Sequence, residues 1–244
     1  MNHWLLDLGN SRLKLAALTD GAPGAVRAFD HARIAHEIAN DAGLARGDVA
    51  WLASVAPAAV TTALQAALLA RGLQVGRVAT QAREGRLQIA YADPRALGVD
   101  RFLALLAASR RDDGPWVVVS AGSALTADAL ASDGRHLGGV IAAMPAQLRG
   151  ALAQRFPALD VPVGDVRPLA ANTADAIASG AAHALCGLVE RVARQTRRAC
   201  AAEPLVLLGG GDPDALQALE LPRLQAAPML VLDGLAAYAL ARAG

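Results

Sequence analysis

The sequence has few of the residues that mark several common classes of protein. Cysteine occurs only at Cys186 and Cys200 among 244 residues, too few for a disulfide framework and at no spacing typical of a metal site. Aromatic residues make up 3% of the chain, and no apolar run reaches the roughly 18 residues needed to cross a bilayer. The start of the chain lacks the basic segment and cleavage site of a secretory signal. These absences predict a reduced, cytoplasmic protein without a membrane partner.

An excess of one charge sign is also missing, since the formal net charge is +1. A nucleic-acid-binding protein needs a concentrated basic face. The densest basic stretch, residues 190–200, has the pattern of a solvated helix face, which we favour over a binding patch. We therefore expect no nucleic-acid partner. Hydrophobic residues make up 54% of the chain, enough for a well-filled core.

The opening stretch WLLDLGNSRLKLAAL predicts two strands, 4–8 and 12–18, joined by a polar turn. Asp7 and Lys14 both lie within apolar runs, where an unpaired charge is costly. Gly9 lets the backbone approach a phosphate closely, and the turn N–H groups and Lys14 can bind its oxygens. Asp7 can hold a hydrated Mg²⁺, which binds through one or two carboxylates. The pattern favours a phosphate site over an ordinary hairpin.

The second half of the chain repeats the first. WVVVSAGSALTADAL lies over the opening stretch at an offset of 112 to 113, which pairs Trp4 with Trp116 and Asp7 with Ser120. Further on, EPLVLLGGGDPDALQAL has the strand, turn, proline and helix order of VAWLASVAPAAVTTAL. Two matches in the same order indicate an internal duplication.

The duplication and the charged, turn-rich segment RRDDGP predict two α/β domains, residues 1–113 and 114–244. In the second domain, Ser120, Gly122 and Ser123 repeat the first turn and predict a second phosphate contact. A GGGD cluster after the strand LVLL permits the close approach of a flat or phosphorylated ligand.

A third motif begins a predicted helix in YADPRALGVDRFLALLAA. Asp100 and Arg101 stand at its start, after Gly98. A carboxylate there can accept a hydroxyl proton while Arg101 binds an anionic group; an N-cap Asp beside a surface Arg is an equally supported interpretation. His31 and His36 lie in a polar segment and are interpreted as having no partners.

These motifs, with GGVI, NTADAIASG and the closing LDGLAAYAL, resemble type III pantothenate kinase in order over nearly the whole chain. That family phosphorylates pantothenate with ATP in the first step of coenzyme A synthesis. The resemblance implies two duplicated ribonuclease H-like domains with mixed sheets flanked by helices, a homodimer, and the use of ATP with Mg²⁺. The two alternatives are a non-catalytic regulatory homologue (an accessory factor of a transcription regulator) and a small-acid or sugar kinase of the same fold.

The resemblance also implies roles for individual residues. Asp100 corresponds to the proton acceptor. Contacts with ATP are implied for Asp7, Leu8, Gly9, Asn10, Ser11, Arg12, Leu13, Lys14 and Ser123. Contacts with pantothenate are implied for Tyr91, Gly98, Val99, Asp100, Arg101 and Thr173.

The sequence departs from the family pattern in the second turn. The family usually has an Asp at the position of Ser120, where it helps bind a monovalent cation such as K⁺, and a Thr at the position of Ser123. A neutral hydroxyl binds a cation more weakly than a carboxylate, so a requirement for K⁺ or NH₄⁺ stays open. The departures leave Asp7, Lys14 and Asp100 in place.

Overall fold

The computed structural model describes residues 1–41, 43–216 and 218–243 as an α/β protein. It divides into two compact units: Met1–Arg111 together with the segment from Met229 onward, and Asp112–Pro228. Each unit holds a mixed β-sheet with helices packed on it, which confirms the predicted fold class. Within the described ranges, no helix is both long enough and apolar enough to span a membrane.

The first unit is built on a six-stranded sheet. Its strands are β1 (His3–Leu8), β2 (Arg12–Thr19), β3 (Ala22–Pro23), β4 (Arg27–Asp30), β5 (Val49–Ser54) and β6 (Gln74–Arg77), and a separate hairpin joins β7 (Arg83–Glu84) to β8 (Leu87–Gln88). Its first helices are α1 (Ile34–Asn40), α2 (Ala58–Ala70) and α3 (Val99–Ser109). The strand order is β3-β2-β1-β5-β6, with β4 also paired to β2. β1 runs antiparallel to β2 and parallel to β5.

The alternation along β1 separates a core face from the face that carries the polar group. Trp4, Leu6 and Leu8 point into a core shared with α1 and α2. Because successive side chains of a strand point to opposite faces, Leu5 and Asp7 lie on the other face. The sequence period of β1 therefore directs the Asp7 carboxylate away from the α1 and α2 core.

The second unit repeats this plan. Its strands are β9 (Trp116–Ala121), β10 (Leu125–Leu130), β11 (His136–Ala142), β12 (Leu205–Gly210) and β13 (Leu224–Ala226), and its helices are α4 (Pro145–Arg155) and α5 (Thr173–Cys200). The strand order is β11-β10-β9-β12-β13, again an antiparallel hairpin followed by parallel strands. α5 covers one face through a core of Val, Leu and Ala side chains.

The strand register corrects one detail of the predicted repeat. Asp7 and Ser120 occupy the same place in their hairpins, each one residue before the last strand position, which sets the offset at 113 along β1 and β9. The pairing of Trp4 with Trp116 is therefore wrong by one residue. Val117 is the counterpart of Trp4, and both point into the helix-covered core of their own unit.

The last helix, α6 (Leu230–Ala243), belongs to the first unit. Its Tyr238 ring meets Trp51 of β5 and Phe102 of α3 edge-on, at centroid distances of 6.2 and 6.4 Å. The expected domains, 1–113 and 114–244, therefore require correction at the C-terminal end, where the chain returns to the first unit. The other boundary lies two residues from the expected one.

Helices α3 and α6 approach so closely that one glycine has no room for a side chain. A Cβ at Gly234 would lie 1.9 Å from the carbonyl oxygen of Leu103. Because backbone must move to relieve this overlap, we expect Gly234→Ala to lower the free energy of unfolding by about 1–3 kcal/mol. Urea unfolding followed by tryptophan fluorescence measures the change. Gly187→Ala, at a site in α5 with no atom within 4 Å of an added Cβ, is the control, and equal stability of the two variants would contradict the packing described.

Candidate active site

The first polar turn connects two strands whose charged residues face each other. Asp7 and Lys14 are directly opposite in the antiparallel register of β1 and β2. The Gly9 N–H donates to the carbonyl oxygen of Arg12 at 3.0 Å, which closes the turn. Asn10 and Ser11 are solvent-exposed at the tip, and Gly9 is half-buried. The hairpin thus presents a carboxylate, a cation and an open turn at one end of the sheet.

Asp7 has a strongly perturbed pKa. Burial raises the pKa of Asp7 to about 6; the positive charge of Lys14 acts in the opposite direction, and the negative charge of Asp100 adds to the rise. The backbone places the start of α3 beside the end of β1: the Val55 N–H donates to the Leu8 carbonyl oxygen at 3.0 Å, and a Cβ at Gly98 would lie 3.8 Å from the Val55 Cγ1 and 2.6 Å from the Asp100 Oδ1. Two neighbouring carboxylates beside one lysine form a site that a bound cation would stabilise.

The start of α3 brings together the residues of the third motif. Gly98 is the N-cap of α3, and the Asp100 Oδ1 accepts a hydrogen bond from the Arg101 N–H at 2.8 Å. The Arg101 side chain is buried, its Nη1 donates to the Tyr91 Oη at 3.3 Å, and its guanidinium carbon lies 5.9 Å from the Tyr91 ring centroid. A carboxylate, a guanidinium and a phenol are therefore held side by side at a helix N-terminus, where anions are favoured.

The second turn has the same construction with uncharged residues. Ser120 is opposite Thr126 in the register of β9 and β10, as Asp7 is opposite Lys14. The Gly122 N–H donates to the carbonyl oxygen of Ala124 at 3.2 Å, so this turn is one residue shorter. The predicted duplication of the turn is present, and the charged pair of the first turn is replaced by two hydroxyls.

The GGGD cluster has an explanation within the sheet. Gly210 has a φ of +107°, and a Cβ there would lie 2.1 Å from the carbonyl oxygen of Ala121. The Asp212 N–H donates to the same carbonyl oxygen at 2.9 Å. At Gly210 the backbone of β12 therefore lies close to the backbone of β9, and this close approach accounts for the glycine without a ligand.

Thr173 is the first residue of α5, in the second unit. The Asn172 side chain caps this helix by accepting from the Asp175 N–H at 2.9 Å. Thr173 borders a groove of about 1000 Å³ between α4 and α5. The groove's large apolar side chains are Leu148, Leu152, Phe156 and Ile177. Thr173, Ser120 and Ser123 thus lie in a different unit from the Asp7 and Asp100 group.

Two side chains that the sequence did not assign to the site contact the backbone of the first-unit site. His31 Nε2 lies 2.9 Å from the Gly9 carbonyl oxygen, so the interpretation of His31 as having no partner is wrong. The buried Thr80 Oγ1 donates to the carbonyl oxygen of Leu97 at 2.8 Å, one residue before the cap of α3. Both contacts join residues 17 or more positions apart, and no local sequence pattern signals them.

Comparison with protein families and with named proteins identifies similar proteins over most of the chain. The model of a family described as type III pantothenate kinase matches residues 4–195. A protein of Xanthomonas oryzae pv. oryzae named type III pantothenate kinase is 45% identical over 244 residues, which cover 100% of this chain and 99% of the relative.

Solved structures share the fold at low sequence identity. A protein from Campylobacter jejuni, described as a Baf family transcriptional activator, is 19% identical with a TM-score of 0.61, over 95% of this chain and 94% of the other. The activator of 2-hydroxyisocaproyl-CoA dehydratase from Clostridium difficile, solved with bound ADPNP, is 13% identical with a TM-score of 0.52, over 100% and 96%. At these identities the likeness concerns the fold alone.

Proposed function

The chain belongs to the type III pantothenate kinase family, and we propose that Asp7, Lys14 and Asp100 carry its phosphoryl transfer. The enzyme phosphorylates pantothenate with ATP in the synthesis of coenzyme A. The observation that best supports these roles is that one unit holds the Gly9 turn, the opposed pair of Asp7 and Lys14, and the start of α3 with Asp100, which lies beside the end of β1 through Val55.

In this proposal the first turn binds the phosphates of ATP. Its exposed N–H groups and the Lys14 ammonium offset the negative charge on the phosphate oxygens. Leu8, Arg12 and Leu13 contribute through the backbone that shapes the turn, and Asn10 and Ser11 add polar side chains. Since phosphoryl transfer depends on positioning and charge neutralisation, this turn supplies much of the catalysis.

The residues of the site fit a hydrated Mg²⁺. This ion keeps several waters and binds through one or two carboxylates together with substrate phosphates. Asp7 provides such a carboxylate. Because burial raises its pKa, a neighbouring cation would stabilise its ionised form. Among the residues that the structure describes, no group of three or more His, Cys, Asp or Glu could hold a metal by itself. When bound, Mg²⁺ supplies neutralisation of the phosphate charge.

Asp100 is the proposed general base. The primary hydroxyl of pantothenate attacks the γ-phosphorus of ATP, its proton passes to the Asp100 carboxylate, and the bond from phosphorus to the bridging oxygen breaks to release ADP. Arg101 and Tyr91 bind the carboxylate or amide of pantothenate, which their partly buried, hydrogen-bonded pair is suited to recognise. Gly98 and Val99 form the start of the helix that holds these groups.

The proposed roles of second-unit residues follow from the family resemblance. Ser123 provides a further ATP contact and Thr173 a pantothenate contact, while Ser120 occupies the position of a monovalent cation ligand. We propose a cytoplasmic homodimer; the open apolar groove beside Thr173 is a surface that a second copy can cover. Kinase activity measured while K⁺ or NH₄⁺ is titrated into the assay tests the requirement for a monovalent cation.

Gly98 is expected to matter because it leaves room for the Asp100 carboxylate. A Cβ at Gly98 would lie 2.6 Å from Asp100 Oδ1. The carboxylate can rotate away, so we expect Gly98→Ala to fold normally and to lower kcat by roughly 10- to 100-fold through misplacement of the base. Steady-state kinetics beside a thermal unfolding curve measure both effects. A variant with wild-type kcat would show that the carboxylate position is not critical.

A coupled ADP-release assay with pantothenate, acetate and hexoses as acceptors tests the function. We expect release that depends on pantothenate and on Mg²⁺, and none above background with the other acceptors. Release with a hexose or acetate instead would favour another kinase of this fold. Absence of ATP-analogue binding by calorimetry at any K⁺ or NH₄⁺ concentration would favour the regulatory alternative, which 45% identity to named kinases over the full length argues against.

A further inference from the structure

Each of the two polar turns has its own side-chain hydrogen bond that the turn motif does not predict. In the first unit, His31 directly follows β4, a strand paired antiparallel to β2, and its Nε2 lies 2.9 Å from the Gly9 carbonyl oxygen. In the second unit, β11 is paired antiparallel to β10, and Gln147 lies in the first turn of α4, the helix that follows β11. The Gln147 Nε2 donates to the Ser123 carbonyl oxygen at 2.6 Å. Each turn is thus bound by a side chain from the segment after the strand that flanks its hairpin.

The direction of both hydrogen bonds is determined by the partners. A carbonyl oxygen only accepts, so His31 Nε2 carries the proton. The Met144 N–H donates to Gln147 Oε1 at 2.6 Å, which orients the amide so that its Nε2 faces Ser123. Gln147 therefore connects the second turn to the N-terminal end of α4.

Holding a turn carbonyl also orients the next N–H group. The peptide unit is planar and trans, so its C=O and N–H point in opposite directions. A hydrogen bond that holds the Gly9 carbonyl sets the direction of the Asn10 N–H, and one that holds the Ser123 carbonyl sets that of the Ala124 N–H. The same bond keeps the carbonyl dipole, which repels phosphate oxygens, in a fixed orientation.

We propose that His31 and Gln147 are positioning residues that orient the N–H groups of the two ATP-phosphate turns. This inference rests on the proposed function of those turns. The residues differ in type and bond different positions of their turns, the first residue, Gly9, in one turn and the second residue, Ser123, in the other. Each nevertheless provides one N–H to one turn carbonyl from the segment that follows the flanking strand, and both hydrogen bonds lie outside the catalytic motifs.

The experiment compares variants that lose the donor with variants that keep it. His31→Ala removes the N–H donor to the Gly9 carbonyl, and His31→Asn has a donor that does not reach it. His31→Gln keeps an N–H donor of similar reach. Gln147→Glu keeps the acceptor for the Met144 N–H and removes the donor to Ser123. The controls are His36→Ala, at an exposed site that hydrogen-bonds Asn40 in the same helix, and Gln154→Glu on the exposed side of α4.

We expect His31→Ala, His31→Asn and Gln147→Glu each to raise the KM for ATP about 5- to 10-fold, the usual effect of one hydrogen bond. The KM for pantothenate and kcat should stay within about 2-fold. His31→Gln and both controls should match the wild type. Calorimetry with a non-hydrolysable ATP analogue should show the same fold increases in the dissociation constant. The double variant that combines His31→Ala with Gln147→Glu should show the product of the two single increases.

Two outcomes overturn the proposal and are distinguishable. If the wild type turns over pantothenate while His31→Ala, His31→Asn and Gln147→Glu keep its KM for ATP, the positioning role is wrong and the kinase assignment stands. If the wild type neither binds the analogue nor releases ADP, the nucleotide function of the turns is wrong, and the positioning role falls with it.

Discussion

Asp100→Asn is expected to lower kcat by about 10²–10⁴-fold, the usual contribution of a general base. The amide has the size of the carboxylate and can still accept from the Arg101 N–H, but it cannot take the proton of the pantothenate hydroxyl. Because the start of α3 keeps its hydrogen bond, the folded structure should be retained. Steady-state kinetics with saturating ATP and pantothenate measure the loss.

The control for this variant is Asp133→Asn, which makes the same charge change at an exposed carboxylate paired with Arg135 in the second unit. It should turn over at the wild-type rate. The binding of an ATP analogue to Asp100→Asn should be preserved, because Asp100 acts on the acceptor. Near-normal turnover by Asp100→Asn would contradict the assignment of the base.

Asp7→Asn is expected to make the ligand-free protein more stable while weakening its catalysis. Burial raises the pKa of Asp7 from 3.8 to about 6, so the native state binds this proton more tightly than the unfolded chain does. Two pH units correspond to about 3 kcal/mol. The stabilisation that protonated Asp7 gives the folded state is fully present below pH 4 and is lost as the pH rises from about 4 through 6.

Urea unfolding at pH 8 and at pH 4 tests this expectation. At pH 8 the free energy of unfolding of Asp7→Asn should exceed that of the wild type by up to about 3 kcal/mol, and the gap should close by pH 4. Trp4 and Trp51 of the first unit report the transition. Loss of the carboxylate proposed to bind Mg²⁺ should cost about 10- to 100-fold in kcat/KM. A wild type that is more stable than the variant at pH 8 would contradict the charge burial described.

The local parts of the site could be predicted from the sequence. The alternation of β1 and β2 and the polar turn between them are short-range patterns, so they place Asp7 opposite Lys14 without knowledge of the rest of the fold. The start of α3 at Gly98 and Asp100 is similarly local. The repeat of the hairpin as β9 and β10 was visible because the turn glycine recurs.

The features that escaped prediction depend on distant packing. The return of α6 to the first unit depends on contacts with α3 and β5 such as that of Tyr238 with Trp51. The one-residue error that paired Trp4 with Trp116 arose because the two turns differ in length, which only the strand register shows. The hydrogen bond of His31 spans 22 residues and follows from the pairing of β4 with β2.

The most direct test is the identity of the product. Wild-type protein is incubated with ATP, Mg²⁺ and pantothenate, and mass spectrometry follows the acceptor while ADP is quantified. We expect pantothenate to gain one phosphoryl group for each ADP formed, and the Asp100→Asn protein to form almost none in the same time. ADP formation that is indifferent to pantothenate, or a folded, ATP-binding wild type that leaves pantothenate unmodified, would contradict the proposed phosphoryl transfer.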